Sequence, residues 1–151
     1  MCIRDRQKSV FNGLNSLPST AEKVLIHDGA RCLIGPDLIN KCALELEQND
    51  AVILATKVTD TIKIVDNKGY IKETPNREYL MAAQTPQGFL VSKLKKAHEM
   101  AIEKNWTVTD DASLFEMLNW QVKIIEGNSA NIKVTSPLDL KIAKVLLRDF
   151  Y

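Results

Sequence analysis

The sequence lacks the features that mark secreted and membrane proteins. Its three cysteines, Cys2, Cys32 and Cys42, show no metal-ligand spacing, and an odd number argues against a full disulfide framework. A reducing, cytoplasmic location is therefore expected. No apolar run approaches the roughly 20 residues that span a bilayer, and no apolar segment near Met1 resembles a secretory signal.

The sequence also lacks an excess of charge of either sign. Twenty basic residues against nineteen acidic ones leave a net charge of +1, so no global field recruits nucleic acid or a membrane surface. The hydrophobic fraction of 45% and the charged fraction of 26% are those of an ordinary globular protein. A chain of 151 residues fits one domain, and we expect residues 1–151 to form a single unit.

The most informative stretch is V-L-I-H-D-G-A-R-C-L-I, from Val24 to Ile34. Its apolar start fits a strand buried on both faces of a sheet. The polar residues that follow stand where ligands bind in open α/β sheets, at the carboxyl end of a strand. Asp28 and Arg31 there could hold a metal ion and a phosphate. A plain turn with a local Asp28 cap and a solvated Arg31 fits the spacing equally well.

Helical and strand patterns alternate along the rest of the chain. Helices are predicted at residues 9–17 with Ser9 as N-cap, at 36–49, at 91–104, at about 111–118 behind a Thr109 or Asp110 cap, and from Pro137 with Leu140, Ala143 and Leu147 facing inward. Strands are predicted at residues 51–58, at 80–89 running into a Pro-Gly turn, at 121–126 and at 131–134. This alternation predicts an α/β fold with a mainly parallel sheet flanked by helices.

One segment departs from this pattern. Residues 61–65 and 70–74 partly alternate around the turn Asp66-Asn67-Lys68-Gly69, which predicts a polar β-hairpin. An isolated hairpin is marginal in water. It could lie as a flap on its own sheet, or serve as an arm stabilised by a second subunit.

Two further segments carry polar groups, Gln84-Thr85-Pro86-Gln87 and Asn131-Ile132-Lys133-Val134-Thr135. Taken singly, the first is explained by a satisfied turn and the second by a solvated lysine. The full set falls at predicted strand ends or turns, and a doubly wound sheet gathers such ends at one edge. That set is Asp28, Arg31, Arg77, Thr85 and Lys133.

Five ordered motifs carry a resemblance to a known family. They are H-D-G-A-R at 27–31, D-T-I-K at 60–63, Arg77 with A-Q-T-P-Q at 83–87, T-D-D-A at 109–112 and N-I-K-V-T at 131–135. From about Arg6 onward the chain resembles the alditol-phosphate cytidylyltransferases. The T-D-D-A and A-Q-T-P-Q patterns are more similar to the 2-C-methyl-D-erythritol 4-phosphate branch than to the ribitol 5-phosphate branch, which remains the alternative.

The resemblance implies a Rossmann-like domain that transfers CMP from CTP to the alditol phosphate, releases pyrophosphate and uses Mg²⁺. It implies that Asp28 binds the metal and nucleotide and is catalytic together with Lys133, and that Ser9 lies near the cytosine. The implied substrate-binding residues are Arg31, Thr61, Arg77, Thr85, Thr109 and Lys133. It further implies a homodimer built through the hairpin, an arm at about residues 59–78 whose Thr61 and Arg77 reach the neighbouring subunit's substrate.

The resemblance fails at the start of the chain. The family opens with a glycine-rich L-A-A-G-x-G-x-R-M loop that cradles the triphosphate, and no such segment precedes Gly13. Cys2-Ile3 stands where the family has two glycines. We therefore expect residues 1–5 to be a spurious start, the first third of the enzyme to be missing, and the chain to be an inactive fragment. A non-catalytic α/β binding or assembly module that keeps the arm is the other reading.

Overall fold

The computed structural model describes residues 3–150, with side chains at residues 6–148. The predictions on Met1 and Cys2 therefore lie outside the described residues. The helices are α1 (Ile3–Asn15), α2 (Pro36–Glu45), α3 (Val91–Glu103), α4 (Ala112–Met117) and α5 (Pro137–Phe150), with a short 3₁₀ helix at Arg77–Tyr79. The strands are β1 (Lys23–Ile26), β2 (Ala51–Lys57), β3 (Ile64–Val65), β4 (Ile71–Glu73), β5 (Met81–Leu90) and β6 (Lys123–Glu126).

The main sheet has the strand order β1-β5-β2-β6. Strand β2 is parallel to β6, while β5 is antiparallel to both β1 and β2. The predicted α/β class is confirmed, and three of the four strands share one direction. The sheet is nevertheless mixed, because its central strand β5 runs against its neighbours.

Helices cover both faces of this sheet. On one face Leu14 of α1, Leu94 of α3 and Phe115 of α4 pack with Phe89 of β5. On the other face the core includes Cys42 of α2. Burial raises the pKa of its thiol to about 11, so Cys42 is an inert apolar group. Within residues 3–150, no helix is both long and apolar enough to cross a membrane.

Strand β5 corrects the prediction of a Pro-Gly turn at its end. The strand continues through Pro86 and Gly88, with a cis peptide bond between Thr85 and Pro86. Its pairing with β2 shifts between Ile53 and Ala55, opposite this proline. Residues 84–86 of β5 there face a single residue of β2, so Pro86 lies within a bulge and its missing N–H is tolerated in a central strand.

Three other local predictions are wrong. Ser9 lies inside α1, which begins at Ile3, so it is not an N-cap. In α5 Ala143 is buried as predicted, but Leu140 and Leu147 are 49% and 46% exposed. Residues 131–134 form no strand, since the Val134 N–H donates to the Ala30 carbonyl at 2.8 Å instead of to a strand. In each case the local sequence pattern fits the predicted element, but contacts with other parts of the chain decide the observed structure.

The hairpin forms a separate two-stranded sheet of β3 and β4, shorter than predicted. The Asp66 N–H donates to the Tyr70 carbonyl, and the Asp66 carboxylate accepts from the N–H groups of Lys68 and Tyr70. Gly69 has φ +87°, a conformation that glycine adopts without steric cost. The turn chemistry therefore explains the hairpin without help from the core.

Candidate active site

A cavity of about 680 Å³ opens beside the loop that follows β1. Helix α1, this loop and the segment before α5 form its walls. Four of the predicted site residues line it, namely Ser9, Asp28, Thr109 and Lys133. The tertiary structure therefore brings together residues that lie more than 100 positions apart in sequence.

Asp28 and Lys133 form an ion pair on the cavity wall. Lys133 Nζ lies 2.8 Å from Asp28 Oδ2, and Arg6 Nε lies 3.9 Å from Asp28 Oδ1. The Asp28 side chain is 16% exposed, whereas that of Lys133 is 46% exposed. The carboxylate is therefore held from two sides, and the ammonium remains accessible to a ligand.

The surroundings of Asp28 keep its carboxyl ionised. Burial by itself raises the pKa of this group. The hydrogen bond and the charge of Lys133, together with the charges of Arg6 and Arg31, outweigh burial and hold the pKa below its ordinary value. Asp28 thus offers a carboxylate, not a carboxylic acid, at neutral pH.

Arg31 lies behind this carboxylate. Its backbone N–H donates to the Asp28 carbonyl at 2.8 Å, which closes the turn after β1. Its guanidinium donates to the carbonyls of Asn131 (2.7 Å) and Ala83 (3.4 Å). Burial lowers the pKa of Arg31, and the neighbouring Asp28 opposes this shift. Through its hydrogen bond to the Asn131 carbonyl, Arg31 joins the loop after β1 to the segment that carries Lys133.

Thr85 approaches the same loop from β5. It is only 5% exposed, and its hydroxyl accepts the Asp28 N–H at 3.0 Å. The same oxygen lies 3.0 Å from His27 Nδ1. The structure therefore places Thr85 next to Asp28 but behind the cavity wall, and its predicted contact with substrate remains a prediction.

Asn131 was not singled out from the sequence, although it begins the N-I-K-V-T motif. Its side chain is 1% exposed and donates to Gln84 Oε1 at 3.3 Å and to the Thr85 carbonyl at 2.9 Å. Its own carbonyl accepts from Arg31. This one residue thus joins β5, the loop after β1 and the Lys133 segment, a role that the sequence pattern does not reveal.

A second group missed from the sequence runs inward from Arg6. Arg6 Nη1 lies 2.7 Å from Asp111 Oδ2, and His98 Nε2 lies 3.1 Å from Asp111 Oδ1. Asp111 and His98 are each 1% exposed. The sequence signal for this group is the pair of adjacent acids, Asp110 and Asp111, at the start of α4. Asp110 alone caps the helix by accepting from the Ser113 N–H, which leaves Asp111 available for another partner.

Thr61 and Arg77 are the predicted site residues that the structure keeps apart. Both lie on or beside the hairpin and outside the cavity wall. Arg77 Nη1 donates to the Thr59 carbonyl at 2.5 Å, within the hairpin region. The predicted residues therefore form a cavity group, a pair behind the cavity wall (Arg31 and Thr85) and a hairpin group.

Comparison with known proteins identifies the family. The family model described as IspD, 2-C-methyl-D-erythritol 4-phosphate cytidylyltransferase, matches residues 4–149. The chain belongs to this cytidylyltransferase family.

Two family members illustrate the similarity. A protein named 2-C-methyl-D-erythritol 4-phosphate cytidylyltransferase from Prochlorococcus marinus subsp. pastoris is 90% identical over 145 residues, which cover 96% of this chain and 65% of the relative. One of the same name from Crocosphaera subtropica is 57% identical, covering 95% of this chain and 63% of the relative. The chain thus spans about 65% of the length of the Prochlorococcus relative and 63% of the Crocosphaera relative. Both relatives carry the name of the methylerythritol-phosphate branch.

Solved cytidylyltransferase structures share the fold. A 4-diphosphocytidyl-2C-methyl-D-erythritol synthase from Anaerococcus prevotii is 39% identical with a TM-score of 0.89, covering 95% of this chain and 64% of that one. The 2-C-methyl-D-erythritol 4-phosphate cytidylyltransferase of Thermus thermophilus is 32% identical with a TM-score of 0.85, covering 95% and 69%. The Rossmann-like prediction is confirmed by these neighbours.

The residues of the cavity fit the Mg²⁺ that the cytidylyltransferase resemblance implies. Among the described residues, no group of three or more His, Cys, Asp or Glu side chains could hold a metal by itself. Mg²⁺ commonly binds through one or two carboxylates together with substrate phosphates. Asp28 supplies one ionised carboxylate at the cavity, which suits a metal that arrives with a nucleotide.

Proposed function

We propose that the chain forms the alditol-phosphate side of an active site that transfers CMP from CTP to 2-C-methyl-D-erythritol 4-phosphate, with release of pyrophosphate. One observation carries the proposal. In a chain 90% identical to a protein named for this reaction, the cavity wall holds an exposed ammonium paired to a partly buried carboxylate, Lys133 with Asp28.

The chemistry requires little covalent help from the protein. A phosphate oxygen of the alditol phosphate forms a bond to the α-phosphorus of CTP, and the bond to the β-phosphate breaks, with the electron pair leaving on pyrophosphate. Catalysis of such a transfer depends on alignment and on neutralising the polyphosphate charge. Mg²⁺, when bound, supplies part of this neutralisation.

Each cavity residue has a role in this proposal. Lys133 faces the two phosphates and stabilises the charge that develops between them. Asp28 holds the metal-bound nucleotide, and its ionised state supports this role. Thr109 and Ser9 line the cavity on the substrate and nucleotide sides. Arg31 and Thr85 lie behind the cavity wall and belong to the alditol-phosphate side of the site.

The hairpin supports a homodimer in which Thr61 and Arg77 act on the partner's substrate. Its large apolar side chains have no core to enter and are 40–71% exposed, namely Ile62, Ile64, Val65, Tyr70 and Ile71. A second copy of the chain is the partner that would cover these residues and bring Arg77 to a cavity. Multi-angle light scattering of the chain tests for the dimer, with Ile64→Lys expected to yield monomers and Lys72→Glu, on the same hairpin, to leave the mass unchanged.

The activity is tested in a chimera that adds to this chain the part of the Prochlorococcus relative outside the aligned region. Pyrophosphate release is followed with CTP and either 2-C-methyl-D-erythritol 4-phosphate or ribitol 5-phosphate. We expect kcat/KM to favour the methylerythritol substrate by about 100-fold. A preference for ribitol 5-phosphate, or no turnover while the intact relative turns over in parallel, would contradict the proposal.

A further inference from the structure

The imidazole of His27 stands between two hydrogen-bonding partners on the loop after β1. His27 Nδ1 lies 3.0 Å from Thr85 Oγ1, and His27 Nε2 lies 3.0 Å from the Arg31 carbonyl oxygen. The Thr85 oxygen also accepts the Asp28 backbone N–H at 3.0 Å. These contacts link His27 to Asp28, through Thr85 and the Asp28 backbone N–H, and to Arg31, through its backbone carbonyl.

The partners determine where the proton of a neutral His27 resides. A carbonyl oxygen only accepts, so Nε2 must carry the proton that it donates to Arg31. Nδ1 is then bare and accepts from the Thr85 hydroxyl. The remaining lone pairs of Thr85 are free to accept from Asp28 N–H. One proton assignment satisfies all three contacts, whereas the other neutral tautomer sets a bare Nε2 against the Arg31 carbonyl.

The same contacts close a ring of hydrogen bonds. Asp28 N–H donates to Thr85, Thr85 donates to His27, and His27 donates to the Arg31 carbonyl. Arg31 N–H donates to the Asp28 carbonyl and closes the turn. The ring uses a buried hydroxyl as its anchor on β5, so it fixes an exposed loop to the centre of the sheet.

We propose that His27, as the Nε2–H tautomer, is a positioning residue that holds Asp28 through Thr85 and holds Arg31 through its carbonyl group. The roles of Asp28 on the nucleotide side and Arg31 on the alditol side rest on the proposed function. The tautomer and the ring do not, because they follow from the hydrogen-bond geometry.

The tautomer is tested directly on the chain by ¹⁵N–¹H correlation of the imidazole nitrogens, at a pH above the usual titration range of histidine. The chain contains two histidines, so a His98→Gln variant assigns the His27 signals. We expect a protonated Nε2 and a bare Nδ1, and we expect the bare-nitrogen signal to shift when Thr85 is replaced by Val. A protonated Nδ1, or a signal indifferent to Thr85→Val, would overturn the inference.

Two isosteric variants separate the two halves of the role. In His27→Asn the amide oxygen takes the place of Nδ1 and still accepts from Thr85, but the donor to Arg31 is lost. In His27→Gln the amide nitrogen takes the place of Nε2 and still donates to Arg31, but the acceptor for Thr85 is lost. Loss of an orienting partner behind a ligating group typically costs about 10–100-fold.

We therefore expect opposite kinetic defects in the chimera. His27→Asn should raise KM for the alditol phosphate about 10-fold with little change in KM for CTP. His27→Gln should lower kcat and raise KM for CTP, each by about 10-fold. If both variants show the same changes in kcat and KM, together with the same loss in melting temperature, His27 has a purely structural role and the proposal is overturned. If the chimera with His27 intact is inactive, the proposed function fails, while the tautomer and its dependence on Thr85 still decide this inference.

Discussion

Lys133 Nζ lies 2.8 Å from the carboxylate of Asp28, although one residue is near the start of the described chain and the other near its end. The backbone explains how they meet. The Val134 N–H donates to the Ala30 carbonyl at 2.8 Å, so the two segments are joined directly beside the ion pair. The main chain therefore brings the two side chains together, and the exposed ammonium of Lys133 remains accessible to a ligand.

Removing the ammonium should impair catalysis more than folding. We expect Lys133→Met in the chimera to lower kcat about 100-fold or more, because a donor aimed at developing charge is lost. The exposed Lys96 on α3 offers a matched control, and Lys96→Met should leave kcat unchanged. Steady-state pyrophosphate release measures both. A similar small loss in the two variants would remove Lys133 from the catalytic set.

Asp28 should make stability depend on pH in the acid range. Burial alone would raise its pKa, but Lys133, Arg6 and Arg31 bring the folded-state pKa below the ordinary 3.8. The unfolded chain therefore binds this proton more readily, so the contribution is complete above about pH 4 and is lost as the pH falls through the folded pKa. Urea unfolding should show the stability difference between wild type and Asp28→Asn shrinking below that pH. A difference that stays constant from pH 6 to pH 3 would contradict the depressed pKa.

Arg77 should contribute to alditol-phosphate binding and not to CTP binding. A guanidinium–phosphate contact is charge-assisted. Arg77→Ala in the chimera should therefore weaken the binding free energy of 2-C-methyl-D-erythritol 4-phosphate by roughly 1.5–3 kcal/mol. Lys72→Ala, a cation on the same hairpin, should change binding by less than about 0.5 kcal/mol. Calorimetric titration with each substrate compares them, and matching small effects would make Arg77 an ordinary surface residue.

A mixed dimer tests whether Arg77 acts across the subunits. Arg77→Ala subunits are combined with Lys133→Met subunits, and heterodimers are isolated by two affinity tags. If the arm reaches the partner's site, one site carries both lesions and the other carries neither, so activity partly returns. If Arg77 serves its own subunit, every site carries one lesion and activity stays low. Low activity in a verified heterodimer would argue against the exchanged arm.

Asn131 should be required for the stability of the site region. In Asn131→Asp a buried carboxylate replaces the amide that donates to Gln84 and to the Thr85 carbonyl. Leaving such acceptors unpaired, with a charge added, should cost about 3 kcal/mol or more. The exposed Asn128 uses its side-chain oxygen only to accept from Ala130 N–H, so Asn128→Asp should change stability by less than about 0.5 kcal/mol. Equal unfolding free energies for the two variants would refute this role.

The successes of the sequence-based prediction have a common physical basis. Helix α3 was predicted from the spacing of Leu94, Ala97 and Ala101, and all three are buried. Strand β2 was predicted from a continuous apolar run, and its first five residues are buried. Periodicity and turn chemistry are local properties, and a chain of this size must bury such faces. The H-D-G-A-R and N-I-K-V-T motifs likewise identified two walls of the cavity before the fold was known.

The failures arose where a distant partner decides the outcome. Pro86 indicates a turn until the bulge in its own strand, opposite β2, is known. Lys133 fits a short strand until Val134 is seen to pair with Ala30. Leu140 and Leu147 share the helical spacing of Ala143, yet only Ala143 finds a buried position. In these cases the local pattern is compatible with several environments.

The sequence by itself determined the order of the elements, the α/β class and the types of residue available to the site, because these depend on periodicity, turn chemistry and side-chain charge. Only the tertiary structure decided which groups meet. The contacts of Asp28 with Lys133, of Arg31 with Asn131 and of Asp111 with His98 join different segments of the chain. Buried polar groups must find partners wherever the topology brings a donor to an acceptor, and one-dimensional spacing carries no record of that approach.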